Sequence, residues 1–274
     1  MRKQNIKIVI LFLLIIIVLI GGWVLYRRIE YNKQSFSVNI HGYISPSARE
    51  VIYINKGYGI DEIYSLYPYT KELIEILNKK YSPPIIILKY DNNESILLTK
   101  ANLEEEYEIK EFIEKKISSY FPAEKREYKG ASILFYSLPD NSFLVCTFYK
   151  GIFAVSKDYK PIEIFIDSDP ENTFFSNENN KELIDKIFSA STINIFTKIE
   201  KNILAVNYTF QNDSITLDGY ILSIGKINSD TIINPNLSFI PYMINMPDSL
   251  CIDSSDVSEN NKPSLIKIFI NKKF

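Results

Sequence analysis

The sequence predicts an α+β protein, in which a single N-terminal transmembrane helix is followed by a largely antiparallel sheet packed with helices. Three observations predict it. Ile8 through Tyr26 is an uncharged run of 19 residues. Short runs rich in Ile, Val, Phe and Tyr recur between turn-forming Pro, Asp, Asn and Gly. One stretch after Asn102 carries the period of an amphipathic helix.

The apolar run comes first. At about 1.5 Å per residue it reaches roughly 28 Å, close to the hydrocarbon thickness of about 30 Å. Lys7 precedes it and Arg27-Arg28 follow it, while Trp23 and Tyr26 suit the far interface, where amphipathic rings settle. A cleaved signal peptide needs small residues after its apolar centre, and Ile20-Gly21-Gly22-Trp23 places a bulky one there. An uncleaved anchor is expected, with its span at 8–26. Arg2, Lys3 and Lys7 outweigh Arg27 and Arg28 slightly, which favours a cytoplasmic N-terminus and a periplasmic or otherwise extracytoplasmic main domain. The chain then divides into a tip and anchor at 1–30 and an α+β domain at 31–274, less regular from about 225.

Beyond the anchor, Phe36, Val38 and Ile40 alternate with polar residues and predict a strand. Val51 to Ile54 predicts a second. Thr70 can cap a helix that places Leu73, Ile74 and Leu77 on one face and ends before Pro83-Pro84. Ile85–Lys89 and Ser95–Thr99 read as strands joined around Asp91-Asn92-Asn93. From about Leu103 to Tyr120 the clearest helix carries an apolar stripe of Ile109, Phe112, Ile113, Ile117 and Tyr120. Asn102 and Glu105 have the spacing of a capping box, and Glu106/Lys110 and Glu111/Lys115 stand four apart. Strands at 131–138, 143–149 and 152–155 follow, with turns at Pro139-Asp140-Asn141 and Lys150-Gly151. Ser156 can cap a short helix through Ile166, and a further helix holds Leu183, Ile184, Ile187 and Phe188. Strands near 192–199, 203–210, 214–224 and 265–270 complete the reading.

Chemistry is harder to find. Residues 31–274 hold 26 Lys and Arg against 32 Asp and Glu, a balance that excludes nucleic acid as a partner. His41 is the single histidine, and its place beside Gly42 at the end of an alternating stretch predicts a surface or edge position. No metal ligand set, no cofactor fingerprint and no catalytic residue is expected, because clustered His, Cys and carboxylates or glycine-rich loops are missing from the text. Glu104-Glu105-Glu106 reads as dipole-stabilised charge at a helix start. Tyr53, Tyr58, Tyr64, Tyr67 and Tyr69 cluster, more as packing than as a binding surface. Cys146 and Cys251 are a candidate disulfide in an oxidising compartment, although Cys146 inside Phe143-Leu144-Val145-Cys146-Thr147-Phe148 also reads as a buried hydrophobe. Ser214, Thr231 and Ser249 are candidate O-glycosylation positions. Each follows Asp and precedes an aliphatic residue, the acceptor pattern of a periplasmic system in certain Gram-negative bacteria.

Between about Ile44 and Leu222 the order of features resembles an uncharacterised family of membrane-anchored bacterial envelope proteins carrying a domain of unknown function. The residues that carry the resemblance are Ile44-Ser45-Pro46-Ser47-Ala48, Tyr128-Lys129-Gly130-Ala131-Ser132-Ile133-Leu134, the segment around Cys146, and Ile215-Thr216-Leu217-Asp218-Gly219-Tyr220. The chain looks like a short form of that family's first half. The resemblance implies an envelope location and no known activity. The expected function is a non-catalytic binding or scaffolding role at the membrane. Expected partners are the lipid bilayer, through the N-terminal helix, and an envelope protein or glycan. The rival expectation is an envelope hydrolase or carbohydrate-active enzyme using paired carboxylates.

Overall fold

A computed structural model of the chain describes residues 2–55, 73, 74, 76, 77, 84–118, 122–176, 191–199, 202–211, 214–222 and 270–273. Helix α1 runs without a break from Arg2 to Ser37, about 54 Å at 1.5 Å per residue. Its apolar window, Ile10–Glu30, is long enough to cross a membrane and buries none of itself against the rest of the protein. The strand expected at 36–40 does not form. Helix continues to Ser37 because the stretch after Arg28 holds no Gly or Pro, and Ile40–Tyr43 closes a 3-10 turn. Asn39 starts that turn by accepting a bond from the His41 amide. Phe36 and Ile40 are four apart, so a short alternation there fits a helix as well as a strand.

Among the described residues eleven antiparallel strands form one sheet. They are β1 (Glu50–Ile54), β2 (Ile85–Lys89), β3 (Ser95–Lys100), β4 (Glu124–Tyr128), β5 (Ala131–Ser137), β6 (Phe143–Tyr149), β7 (Ile152–Ser156), β8 (Ile193–Ile199), β9 (Asn202–Gln211), β10 (Ser214–Leu222) and β11 (Ile270–Lys273). Their order is β11-β10-β9-β8-β1-β2-β3-β7-β6-β5-β4. Hairpins therefore build each half, and the pairing of β1 with β8 joins them at Ile52↔Ile195.

Apolar side chains bury both faces of the sheet. On the first lie Ile52, Ile87, Leu97, Cys146, Phe153 and Val206, covered by Leu73, Ile74 and Leu77 and by helix α2 (Leu103–Phe112). On the second lie Val51, Tyr53, Leu88, Leu98, Ala154 and Phe196. They are covered by the 40–48 segment, by helix α3 (Tyr159–Ile166) and by Phe174 and Phe175. Two-sided burial explains why β1 and β2 read as nearly continuous apolar text rather than as alternation. Each such Ile or Val contributes roughly 1.5–3 kcal/mol when fully buried.

Helix α2 begins as its sequence predicts. The Asn102 side chain accepts from the Glu104 and Glu105 amides, and Glu105 accepts from the Asn102 amide. Glu106 pairs with Lys110 and Glu111 with Lys115. The helix is shorter than expected, because a π turn at Ile113–Ile117 takes over and the Ser118 amide donates to Ile113 O at 2.8 Å. That wider turn keeps Ile113 and Ile117 both in the first-face core. Helix α3 starts at Tyr159 rather than directly after Ser156. Ser156 Oγ accepts from the Asp158 amide at 3.0 Å, and Pro161 falls in the first turn, where a missing N–H costs nothing.

β4 has no counterpart in the sequence reading. Four of its five residues, Glu-Lys-Arg-Glu, are exposed, which is how an edge strand avoids recruiting other chains. The expected helix around 183–188, the Thr70 cap, Tyr58, Tyr64, Tyr67 and Tyr69, and 265–269 lie outside the described residues.

Candidate functional site

Two places concentrate polar chemistry. The first is where α1 meets the domain. The carbonyl of Gly151, in the turn between β6 and β7, accepts from the Ala101 amide at 3.0 Å, which fixes the start of α2 beside that turn. Gly151 has φ +76, and a side chain on it would come within 2.6 Å of Ser35 Cα. Glycine is needed there twice over, for the left-handed backbone and for the close approach of α1. Seven residues earlier in α1, Arg28 donates to Glu104 Oε1 at 2.5 Å. The end of the apolar helix is thus seated on two elements of the domain, the β6–β7 turn and the start of α2. Arg27 lies over the Trp23 ring at 4.7 Å, so the basic and aromatic residues at this end of the span form one cluster.

The second place is a polar row across the second face of the sheet. The 3-10 turn brings His41 Nδ1 to 2.7 Å from Tyr53 Oη. Tyr53 is paired with Asn194 of β8, which is paired with Asn207 of β9, which is paired with Asp218 of β10. Asn194 Nδ2 donates to Asn207 Oδ1 at 2.8 Å and to Ser191 Oγ. Asn55 Nδ2 donates to Asn194 Oδ1 and to the Ser191 carbonyl. Asn194, Asn207 and Ser191 are all buried. Buried amides of this kind must find partners, and these find them mainly in one another. Around them Tyr53, Phe196 and Phe175 meet edge to face.

His41 therefore sits half-buried against Tyr53 and not on an open strand edge, which corrects the expectation from sequence. Burial lowers its pKa below the usual imidazole value, and the positive charge of Lys100 lowers it further. Burial likewise pushes the Tyr53 phenol well above its ordinary value. At neutral pH the pair is neutral and shares one hydrogen bond between the imidazole Nδ1 and the phenol oxygen. Such a pair can hold two segments together or accept one proton.

The other sequence-predicted positions are dispersed. Cys146 is a free, fully buried thiol on the first face of β6, and burial pushes its pKa up to about 12. Its proposed partner Cys251 lies outside the described residues, as do Thr231 and Ser249. Ser214 opens β10, opposite Gln211 on one side and Lys273 on the other. A buried carboxylate does occur in β1, where Glu50 pairs with Lys89 at 3.0 Å. Among the described residues no group of three or more His, Cys, Asp or Glu side chains is placed to hold a metal ion.

No family model matches the chain, and no curated protein does. Among solved structures it is similar to one described as "Structure of crystal form I of TP0453". The identity is 11% and the TM-score 0.48, over 86% of this chain and 94% of that one. A likeness at that level transfers neither a ligand nor a role.

Proposed function

We propose that the protein is a single-pass membrane-anchored component of a cell envelope, whose extracytoplasmic domain binds or scaffolds another envelope protein or a glycan without catalysing a reaction. The observation that carries this reading is the seat of α1. A helix with an apolar window of 21 residues, none of it buried, continues directly into the domain and is clipped to it by Arg28–Glu104 and by the Ser35–Gly151 approach. A helix held in this way keeps its load at a fixed height above a bilayer, which suits a scaffold. The interior use of His41, Asn194 and Asn207 adds support, since their hydrogen bonds rigidify the sheet.

A topology assay tests the reading. Reporters active only in the cytoplasm or only outside it are fused after Phe274. A signal from the outer reporter is expected, and crosslinking of the intact chain in membranes should then capture a partner. A signal from the cytoplasmic reporter would overturn the location, and with it the O-glycosylation of Ser214, Thr231 and Ser249 and the pairing of Cys146 with Cys251.

A further inference from the structure

The contact between Arg28 and Glu104 sets a depth. The uncharged run ends at Tyr26, so Arg28 stands just past the hydrocarbon, in an interfacial layer about 5–7 Å thick on each side of a bilayer. Glu104 Oε1 is 2.5 Å from the Arg28 guanidinium, which places the first turn of α2 at the same level. Leu103 and Tyr107 flank Glu104 on the solvent-facing stripe of α2, within one helical turn, and are 39% and 70% exposed. The opposite stripe of the helix, with Ile109, is spent on the core. Two large apolar side chains are thus turned away from the core at the start of an acidic helix.

We propose that Leu103 and Tyr107 rest in the headgroup layer of the same bilayer that α1 crosses, so that the domain touches the membrane at a second place. This rests on reading α1 as a membrane span. Tyrosine suits that layer because its ring is apolar and its hydroxyl stays wet. Glu104, Glu105, Glu106 and Glu108 crowd the first turns of α2, where Arg28 pairs with Glu104 and Lys110 with Glu106, so the balance of charge there is negative. The surface should therefore rest on zwitterionic lipid and be repelled by anionic lipid. With two contacts, the domain cannot swivel freely about its anchor.

Depth-dependent fluorescence quenching of the full chain in phosphatidylcholine vesicles tests this. The native chain has one tryptophan, Trp23. It reports on the anchor itself, through quenching by lipids labelled in the acyl chain. In the double variant Trp23→Phe/Tyr107→Trp, emission should be blue-shifted and fall by about half or more with headgroup-labelled lipid, the behaviour of an indole in the interface. Phe143 supplies the control, because it opens β6 while the seat of α1 lies past the other end of that strand, about 20 Å away at 3.4 Å per residue. Trp23→Phe/Phe143→Trp should stay unquenched. If Trp23 is quenched and the tryptophan at 107 behaves like that at 143, the second contact is overturned and the anchor stands. A blue shift at 107 that needs a protein partner, with no lipid quenching, overturns it equally. If Trp23 is not quenched, the anchor reading itself fails.

Discussion

At the scale of single residues, the pairing of His41 with Tyr53 ties the turn at Ile40–Tyr43 to the sheet. Tyr53→Phe keeps the ring among Phe196 and its neighbours and removes only the hydroxyl. The expected loss is about 1 kcal/mol in denaturant unfolding, the ordinary net worth of one hydrogen bond. The pH dependence has a definite sign. Burial makes the folded pKa of His41 lower than the unfolded value of 6.5, so the unfolded chain takes up its proton first. The stabilisation from a neutral His41 is complete above pH 6.5, declines as the pH falls below it, and levels off below the lowered folded pKa. The chain has one histidine, so His41→Gln should flatten unfolding free energy against pH in that window. An unchanged slope would mean that the imidazole is not held neutral by the fold. The pair escaped the sequence reading because its members are 12 positions apart and polar alternation looks the same beside water as beneath a covering segment.

Among the elements, α1 and the β6–β7 turn depend on one another through a residue without a side chain. In Gly151→Ala the backbone would carry a left-handed conformation at a cost of roughly 1–3 kcal/mol. The new methyl would also meet Ser35 backbone atoms at 2.6 and 2.8 Å. The seat should open, and limited proteolysis of the reconstituted chain should then cut faster within residues 31–37. Equal cleavage in both proteins would show that the close approach does not hold the helix. Lys150-Gly151 is legible in the sequence as a tight turn, but the need for glycine against α1 is not, because contact between residues 35 and 151 is a product of the whole fold. The capping box of α2 was legible in full, since Asn102 and Glu105 act on neighbouring amides. The π turn at Ile113–Ile117 was not, because packing on the first face of the sheet, and not local preference, widens it.

Across the whole molecule, β1, β2 and β8 lie in the middle of the strand order, and β4 ends it. Amide hydrogen exchange should be slowest in β1 and β2, which have partners on both edges and apolar cover on both faces, and much faster in β4. Protection of β4 equal to that of β1 would show that the edge is covered by something beyond the described residues. The same layout bears on partners. The charged strand β4 resists edge-to-edge addition, so a bound protein or glycan is expected to use a loop or a layer rather than to extend the sheet there.

By itself the sequence determined the apolar helix long enough for a membrane, the mixed α+β character, the positions of most strands and the start of α2. Each of these follows from neighbours in the chain: a run of apolar residues, a two-residue alternation, a turn dipeptide or a cap three residues from its partner. Only the tertiary structure decided that both faces of the sheet are buried, that α1 extends to Ser37 and is seated on Gly151 and Glu104, and that His41 meets Tyr53 while Asn55, Ser191, Asn194 and Asn207 bond to one another. The order in which strands pair across the sheet sets those meetings, and pairing between strands distant in the chain leaves no mark on either strand alone.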